Sequence, residues 1–324
     1  MELFRGVNVD WLRLKWYFLG FSLIFSVSGL ISMGYHWTHI GSPVPLGVDF
    51  RGGTEVEVHF TQTPDIGVIR QAMDASGIKD ATVQRYDPTR PSLNAVLISL
   101  PEQHNETELE AGQKTVLDAL NAHYANPIVP ASTKVDVVGP TVGHQLERQA
   151  LLATLYSLLG MLVYLWFRFQ LIYGIAAVVA VFHDTLITVG AFALLDKEIS
   201  LTVIAAILTL VGYSMNDTIV VFDRIRENLR LSRRESLPDV VNRSINQTLS
   251  RTVLTSGLTF LTVLSLYIFG GQVLNGFSFA LVIGILIGTY SSIAVAAPML
   301  VAWQQWRASK GQAVVLPAAR RAKG

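Results

Sequence analysis

Six stretches of the chain run for roughly the length of a bilayer crossing with almost no charge, and polar or basic breaks separate them. Read from hydropathy alone, they cover residues 16–33, 150–167, 171–195, 201–222, 252–269 and 277–303. A helix needs about 20 apolar residues to cross the hydrocarbon core, so the pattern predicts six transmembrane helices. Arg13 and Lys15 precede the first run in the manner of a signal peptide. That run is longer than a usual signal core and no A-x-A-like site follows Met33, so the expectation is an uncleaved anchor over 16–35 behind a short N-terminus, 1–15.

Between the first two runs the pattern changes to a polar block, 36–148, with 14 Asp/Glu against 8 Lys/Arg. "TEVEVHF" (54–60) alternates as a half-buried strand does, and "PDIGVIRQAMDASG" (64–77) reads as a helix with Pro64 at its start and Gly77 at its end. "ATVQRY" and "NAVLISL" read as strands around a "DPTRP" turn, followed by a helix from Glu106 to Tyr124 and a last strand, "TKVDVVG". The order β-α-β-β-α-β predicts an inserted α+β domain of the ferredoxin-like type, with one sheet face under two helices and the other open. The fold class is thus an α-helical polytopic membrane protein of six transmembrane helices carrying this domain. A five-helix bundle over 149–307 follows, with a loop at 223–250 and a basic tail at 308–324. Within the loop, Ser236 and Pro238 open an amphipathic helix, "PDVVNRSINQTLS", expected on the membrane surface.

Composition agrees with the hydropathy pattern: of 324 residues, 51% are hydrophobic and only 15% charged, too apolar for an ordinary soluble chain. The net charge of +1 gives no ground for a nucleic-acid partner, and with no cysteine there is no disulfide framework or thiolate site. Charge matters through its placement. Arg5, Arg13, Lys15, Arg168, six arginines from Arg224 to Arg243, Arg251, Arg307, Lys310, Arg320, Arg321 and Lys323 fall on the side of the termini, whereas the short loops opposite carry only Lys197. The positive-inside rule then puts both termini in the cytoplasm and the 36–148 domain outside it.

Against this background a few intramembrane residues stand out. An aspartate near the centre of a span costs roughly 2.5–3.5 kcal/mol, and Asp217 lies in the fourth span, five residues before Phe222. Thr209, Gly212, Tyr213, Asn216 and Asp217 follow the spacing of one helix face, a polar stripe that should meet other helices or water. Interhelical hydrogen bonding accounts for Asn216 and Thr209; for Asp217 a neutral amide would serve more cheaply. Arg251, at the start of the fifth span, is either a positive-inside anchor or a partner for Asp217 at similar depth. His183 and Asp184 sit near the centre of the third span as a supporting relay or a bundle brace. Two aspartates and a histidine invite a metal reading, but neighbours on a helix point about 100° apart and no further His or Cys completes a set.

Five motifs then occur in a familiar order: "LGVDFRGGT" (46–54), "VGPTVG" (138–143), "FHDTLIT" (182–188), "GYSMNDTIVVFDRIREN" (212–228) and "RTVLTSG" (251–257). On these, along nearly its whole length, the chain resembles the SecF family, partner of SecD in bacterial protein export and related to the resistance-nodulation-division transporters. The resemblance implies a multi-pass protein of the bacterial cytoplasmic membrane that pairs with SecD, works with the SecYEG channel on unfolded preprotein, and draws on the proton-motive force. YajC and membrane lipids complete the implied partners. Asp217, Arg251, Asn216, His183 and Asp184 become the proton-coupling set. Gly47, Asp49, Gly52 and Gly53, with Gly139 and Pro140, become the hinge motifs at the two roots of a lever-like domain. The glycines of the first motif serve equally as a tight turn into the first strand. The expectation is a transporter subunit, not an enzyme, with no cofactor. Two rivals are a proton-coupled small-molecule exporter, which needs a roomy ligand-lined cleft, and an intramembrane aspartyl protease, which needs paired aspartates in a G-x-G-D setting.

Overall fold

The computed structural model describes residues 8–78, 81–85, 94–100, 106–129, 133–138, 140–168, 171–231 and 235–311. Among the described residues, six helices are long and apolar enough to cross a membrane, as the hydropathy pattern predicts. The first, α1 (Lys15–Ile40), ends where Gly41 turns left-handed, φ 75°, and returns its N–H to Trp37 O. Most of its side chains are exposed, and its contact with the bundle depends on absent side chains. Gly29 meets Gly190 so closely that a Cβ on either would lie 2.9 Å from the other's Cα.

A single helical turn, α2 (Val48–Arg51), leads into the inserted domain: β1 (Gly53–His59), α3 (Ile66–Ala75), β2 (Thr82–Arg85), β3 (Ala95–Ser99), α4 (Glu106–His123) and β4 (Lys134–Val138). The sheet order is β2-β3-β1-β4 with every neighbouring pair antiparallel, the predicted ferredoxin-like arrangement. Alternation sorts the faces. Val56, Val58, Val96 and Ile98 join Ile69, Met73, Val116 and Leu120 in a core beneath α3 and α4. Glu55, Glu57 and His59 fall on the opposite face, where His59 Nε2 lies 2.7 Å from Glu57 Oε1. Asp65, not Pro64, caps α3, accepting from the N–H groups of Gly67 and Val68. The DPTRP turn lies outside the described residues.

The bundle follows with α5 (Pro140–Arg168), α6 (Leu171–Leu194), α7 (Leu201–Leu231), α8 (Leu237–Phe269) and α9 (Gln272–Ser291), the last continuing through a π-helical turn, Ser292–Ala296, into α10 (Ala297–Ser309). That wider turn is where Pro298, in the first turn of α10, can sit without orphaning an α-helical carbonyl. Two apolar cores stack within the bundle. One, around Phe222, Ile225, Ile245 and Leu300, lies on the side of the termini. The other, around Phe192, Val203, Leu210 and Phe279, lies on the side of the inserted domain. Close packing again needs glycine: a Cβ on Gly284 of α9 would fall 2.4 Å from Leu210 Cδ2 of α7.

In residues 223–250, expected as a cytoplasmic loop in which "DRIREN" continues span four by two turns and a surface helix follows, the helical extension is found but the second helix is not a separate surface helix. α7 runs on to Leu231 and α8 starts at Leu237, so the two spans extend beyond the apolar zone as a hairpin. Ser236 caps α8 as expected, accepting from Asp239 N–H. Val241, Ile245 and Leu249, the apolar side of the helix expected on the membrane surface, pack instead into the core shared with Val221, Phe222 and Ile225 of α7. An amphipathic stripe records that one side is buried, not what buries it. Polar bonds complete the hairpin, with Asn228 Nδ2 donating to Ser244 Oγ and Gln247 Oε1, both at 2.8 Å. The N-terminal segment lies against it: Val9 N–H and Trp11 Nε1 donate to Asn246 Oδ1, and Leu12 N–H to Asn242 Oδ1.

The first root of the domain is docked on the bundle. Ile199, between α6 and α7, donates to Pro45 O and accepts from Gly47 N–H, forming a parallel bridge with Leu46. Phe50 is buried in the domain-side core with Ile199 and Val203. Gly52 (φ 74°) and Gly53 (φ 131°) make the turn into β1 in conformations that favour glycine. Arg51 acts electrostatically on Glu198, whose carboxyl is pushed up mainly by burial, with Arg51 opposing and Asp196 reinforcing.

Gly190→Ala should force α1 and α6 apart and cost about 1–3 kcal/mol, read as a lowered unfolding temperature in detergent. Glu198 gives a pH signature. Its charged form is disfavoured in the folded state, so stability falls as pH rises from 4.5 through the raised folded value, and no penalty exists below 4.5. Glu198→Gln should therefore unfold at a higher temperature than the parent at neutral pH and match it below pH 4.5.

Candidate functional site

Between the two apolar cores lies a polar layer, and its most buried acidic residue is Asp184 of α6, 1% exposed. A carboxylate there must find its donors on neighbouring helices. Ser214 Oγ of α7 donates to Asp184 Oδ2 at 2.5 Å, Ser291 Oγ of α9 donates to the same oxygen at 2.7 Å, and His183 Nδ1 lies 2.9 Å from Oδ1. The two neighbours on α6 therefore turn toward each other despite their 100° offset, and one side chain joins three helices. His183 Nε2 is buried without a hydrogen-bond partner among the described residues. Its ring lies 6.5 Å from that of Tyr290, whose hydroxyl bonds Ser22 Oγ and Phe18 O of α1.

Asp217 occupies a second place in this layer. It is 3% exposed and accepts one hydrogen bond, from Ser256 Oγ of α8 at 2.8 Å. No hydrogen bond joins Asp217 to Asp184 among the described residues. Arg251 is exposed and five residues before Ser256, roughly 7.5 Å of helix rise toward the termini. It acts on Asp217 through its Coulomb field, without an ion-pair contact. The equal depth expected for this pair is thus not found: the residue opposite Asp217 is Ser256. The expected polar stripe also splits. Asp217 turns inward to α8, whereas Thr209, Gly212 and Asn216 face out of the chain.

Sequence reasoning missed the hydroxyls. Ser214, Ser256 and Ser291 resemble neutral helix filler, yet each is a buried donor to a carboxylate. One signal was available: Ser244, Thr248, Thr252 and Ser256 recur every four residues and so share a face. All four are buried, the first bonded to Asn228 and the last to Asp217, so the row follows α7 along the hairpin. Thr252 Oγ1 within the row has no partner among the described residues. Of the hinge residues, Gly47, Asp49, Gly52 and Gly53 gather at the docked root, with Asp49 Oδ2 accepting from Leu201 N–H at 2.8 Å. Pro140 opens α5, and Gly139 lies outside the described residues, as does the tail beyond 311. An apolar cleft of about 360 Å³ between α1, α8 and α9 is lined by Phe18, Val253, Phe260 and Leu286 and presents almost no polar surface.

Comparison with known proteins fits this arrangement. Residues 119–306 match the family described as protein export membrane protein SecD/SecF, C-terminal, and residues 40–64 match the SecD/SecF GG motif. The protein translocase subunit SecF of Koribacter versatilis is 55% identical, over 97% of this chain and 96% of that protein. The chain belongs to the SecF family. The family's subunit from Desulfurispirillum indicum is 43% identical over 93% of both chains. A crystal structure of SecDF, a translocon-associated membrane protein from a Thermus species, superposes with a TM-score of 0.78 at 35% identity and covers 93% of this chain. SecDF in a super-membrane-facing form matches with a TM-score of 0.66. The chain spans about two fifths of those longer proteins, 39% and 40%.

The Asp184 knot makes a distinct energetic prediction. Ser214→Ala and Ser291→Ala, each removing a donor from a buried carboxylate, should each destabilise by about 1–3 kcal/mol. In an Asp184→Leu background the same substitutions should cost far less. A double-mutant cycle on thermal unfolding reads the difference.

Proposed function

We propose that the chain acts with SecD in the bacterial cytoplasmic membrane, both termini cytoplasmic, and uses the proton-motive force to drive late steps in the export of unfolded polypeptide through SecYEG. The observation that carries the coupling is Asp217: a carboxylate buried in a span, held by one neutral hydroxyl, with its nearest helical cation displaced along α8. A group held so loosely can change charge without dismantling the bundle. A proton from the outer side neutralises it, and release to the cytoplasm restores both the buried charge and its attraction to Arg251. One charge moved through 100 mV is worth ~2.3 kcal/mol, enough to bias two arrangements about fifty-fold. The row Ser256, Thr252, Thr248, Ser244 supplies hydroxyls from Asp217 toward the terminal end of the hairpin, where Asn228 and Gln247 meet solvent-facing Arg224. That is the direction release requires.

Two further observations support the partner. Thr209, Gly212 and Asn216 face outward in a membrane helix, where a second set of spans would cover them at lower cost than lipid. The relatives that superpose are SecDF chains more than twice as long. The arginine-rich side of the chain favours the cytoplasm for the termini. The apolar lining of the cleft lacks the convergent polar groups that a small-molecule exporter needs to orient a ligand.

The test is export of a reporter preprotein in cells whose own copy is depleted, with and without an uncoupler. Asp217→Asn keeps an acceptor for Ser256, so the protein should insert, fold and co-purify with SecD and SecYEG, yet lose the gradient-dependent part of export. Arg251→Met should lose it too, and Arg251→Lys should retain part. Uncoupler-sensitive export at the parental level in Asp217→Asn would overturn the proton reading, and absence of SecD from the purified complex would overturn the partner.

A further inference from the structure

The fourth membrane helix, α7, begins on the domain side with N–H groups that have no partner within the helix. Ser200 answers one, its Oγ accepting from Val203 N–H. Another, Leu201 N–H, is answered from 152 residues earlier by Asp49 Oδ2. A carboxylate at a helix N-terminus also meets the positive end of the helix dipole, so the contact is favoured by charge as well as by hydrogen bonding. The residues around Asp49 converge on the same place: Gly47 pairs with Ile199, Phe50 is buried with Ile199 and Val203, and Arg51 acts on Glu198. From the other side α5 closes over the turn, Gly143 lying so near that a Cβ there would be 2.7 Å from Phe50 O. After two residues the chain enters β1, a central strand of the domain sheet.

We propose that Asp49 is a positioning residue that fastens the inserted domain to the first turn of α7, so that displacement of the helix bearing Asp217 reaches β1 directly and not through a flexible linker. A protonation event does work only if two arrangements differ in energy, and a domain on a loose tether would not feel the difference. Asp217 lies 16 residues after Leu201 on one continuous helix, roughly 24 Å along its axis, so a rigid shift or tilt of α7 at that depth moves its capped end as well. Gly52 and Gly53 come after the fastening, which leaves their unusual backbone angles to aim β1. The inference rests on the proton-driven reading for its purpose, but the fastening has its own observable.

The chain has no cysteine, so two can be introduced and labelled without background. Spin labels at the exposed positions Gln71 of α3 and Leu195 beyond α6 report the domain against the bundle in the intact complex. Asp49→Ala should broaden this distance distribution and lower gradient-driven export about fivefold, the factor that losing one helix cap is worth. Asp49→Asn, which keeps an acceptor oxygen, should restore both. Leu201→Pro removes the donor instead, at a helix position where proline is tolerated. It should reproduce the Asp49→Ala phenotype, and the double variant should be no worse than either single one. An unchanged distribution in both Asp49→Ala and Leu201→Pro would overturn the fastening, whatever becomes of export. A broadened distribution with parental export would show that Asp49 fixes the domain without contributing to coupling and would equally overturn the proposal. Failure of the Asp217 reading would appear elsewhere, as parental export in Asp217→Asn with the Asp49 effect on distance intact.

Discussion

The hydrocarbon core of a bilayer offers no water, so any polar group carried into it must be answered by another part of the same assembly. Everything distinctive in this bundle follows from that constraint. Asp184 is answered three times over, by two serines and a histidine, and the donors come from separate helices. It is thereby a tie that fixes α6, α7 and α9 in register. Asp217 is answered once. The two carboxylates share a layer of the bundle but differ in how firmly they are held.

For hydroxyls to reach carboxylates across helices, backbones must come close, which explains where side chains are missing. Gly288 leaves Ser214 room beside α9, Gly284 admits Leu210, and Gly29 and Gly190 let α1 lie against α6. The polar layer and the glycine contacts are one design seen from two sides. At the end nearest the inserted domain the same rule holds for backbone groups, since the start of α7 is completed by a carboxylate outside the span. The expected hinge is therefore also a structural part of the membrane helix.

The sequence carried the number of spans, the order of strands and helices in the inserted domain, and the identity of the two buried aspartates, because each rests on a local property: a run without charge, an alternation, a charge out of place. What it hid was always a pairing. Ser256 opposite Asp217 displaced the expected Arg251 because contact depth depends on where two helices cross, which no single helix records. The stripe at Val241, Ile245 and Leu249 was legible as a buried face but not as a face buried by α7. Asp49 was legible only as part of a hinge motif, since its partner is a backbone N–H that leaves no mark in the residue types. The row of hydroxyls from Ser244 to Ser256 was visible in its spacing and lacked only the knowledge of what it faced.

The N-terminal clasp bears on the order of assembly. Val9 meets Asn246 across a sequence separation of 237 residues, and Trp11 meets the same side chain across 235. At synthesis rates of 5–20 residues per second the N-terminal segment therefore waits roughly 10–50 s before Asn246 is made. Within that interval α6, on which α1 packs through Gly29 and Gly190, is already complete, whereas α9 is made only after Asn246. The clasp closes only once the α7–α8 hairpin has formed. It is thus a late event in biogenesis, since most of the chain must be made before Asn242 and Asn246 of α8 are there to accept from it.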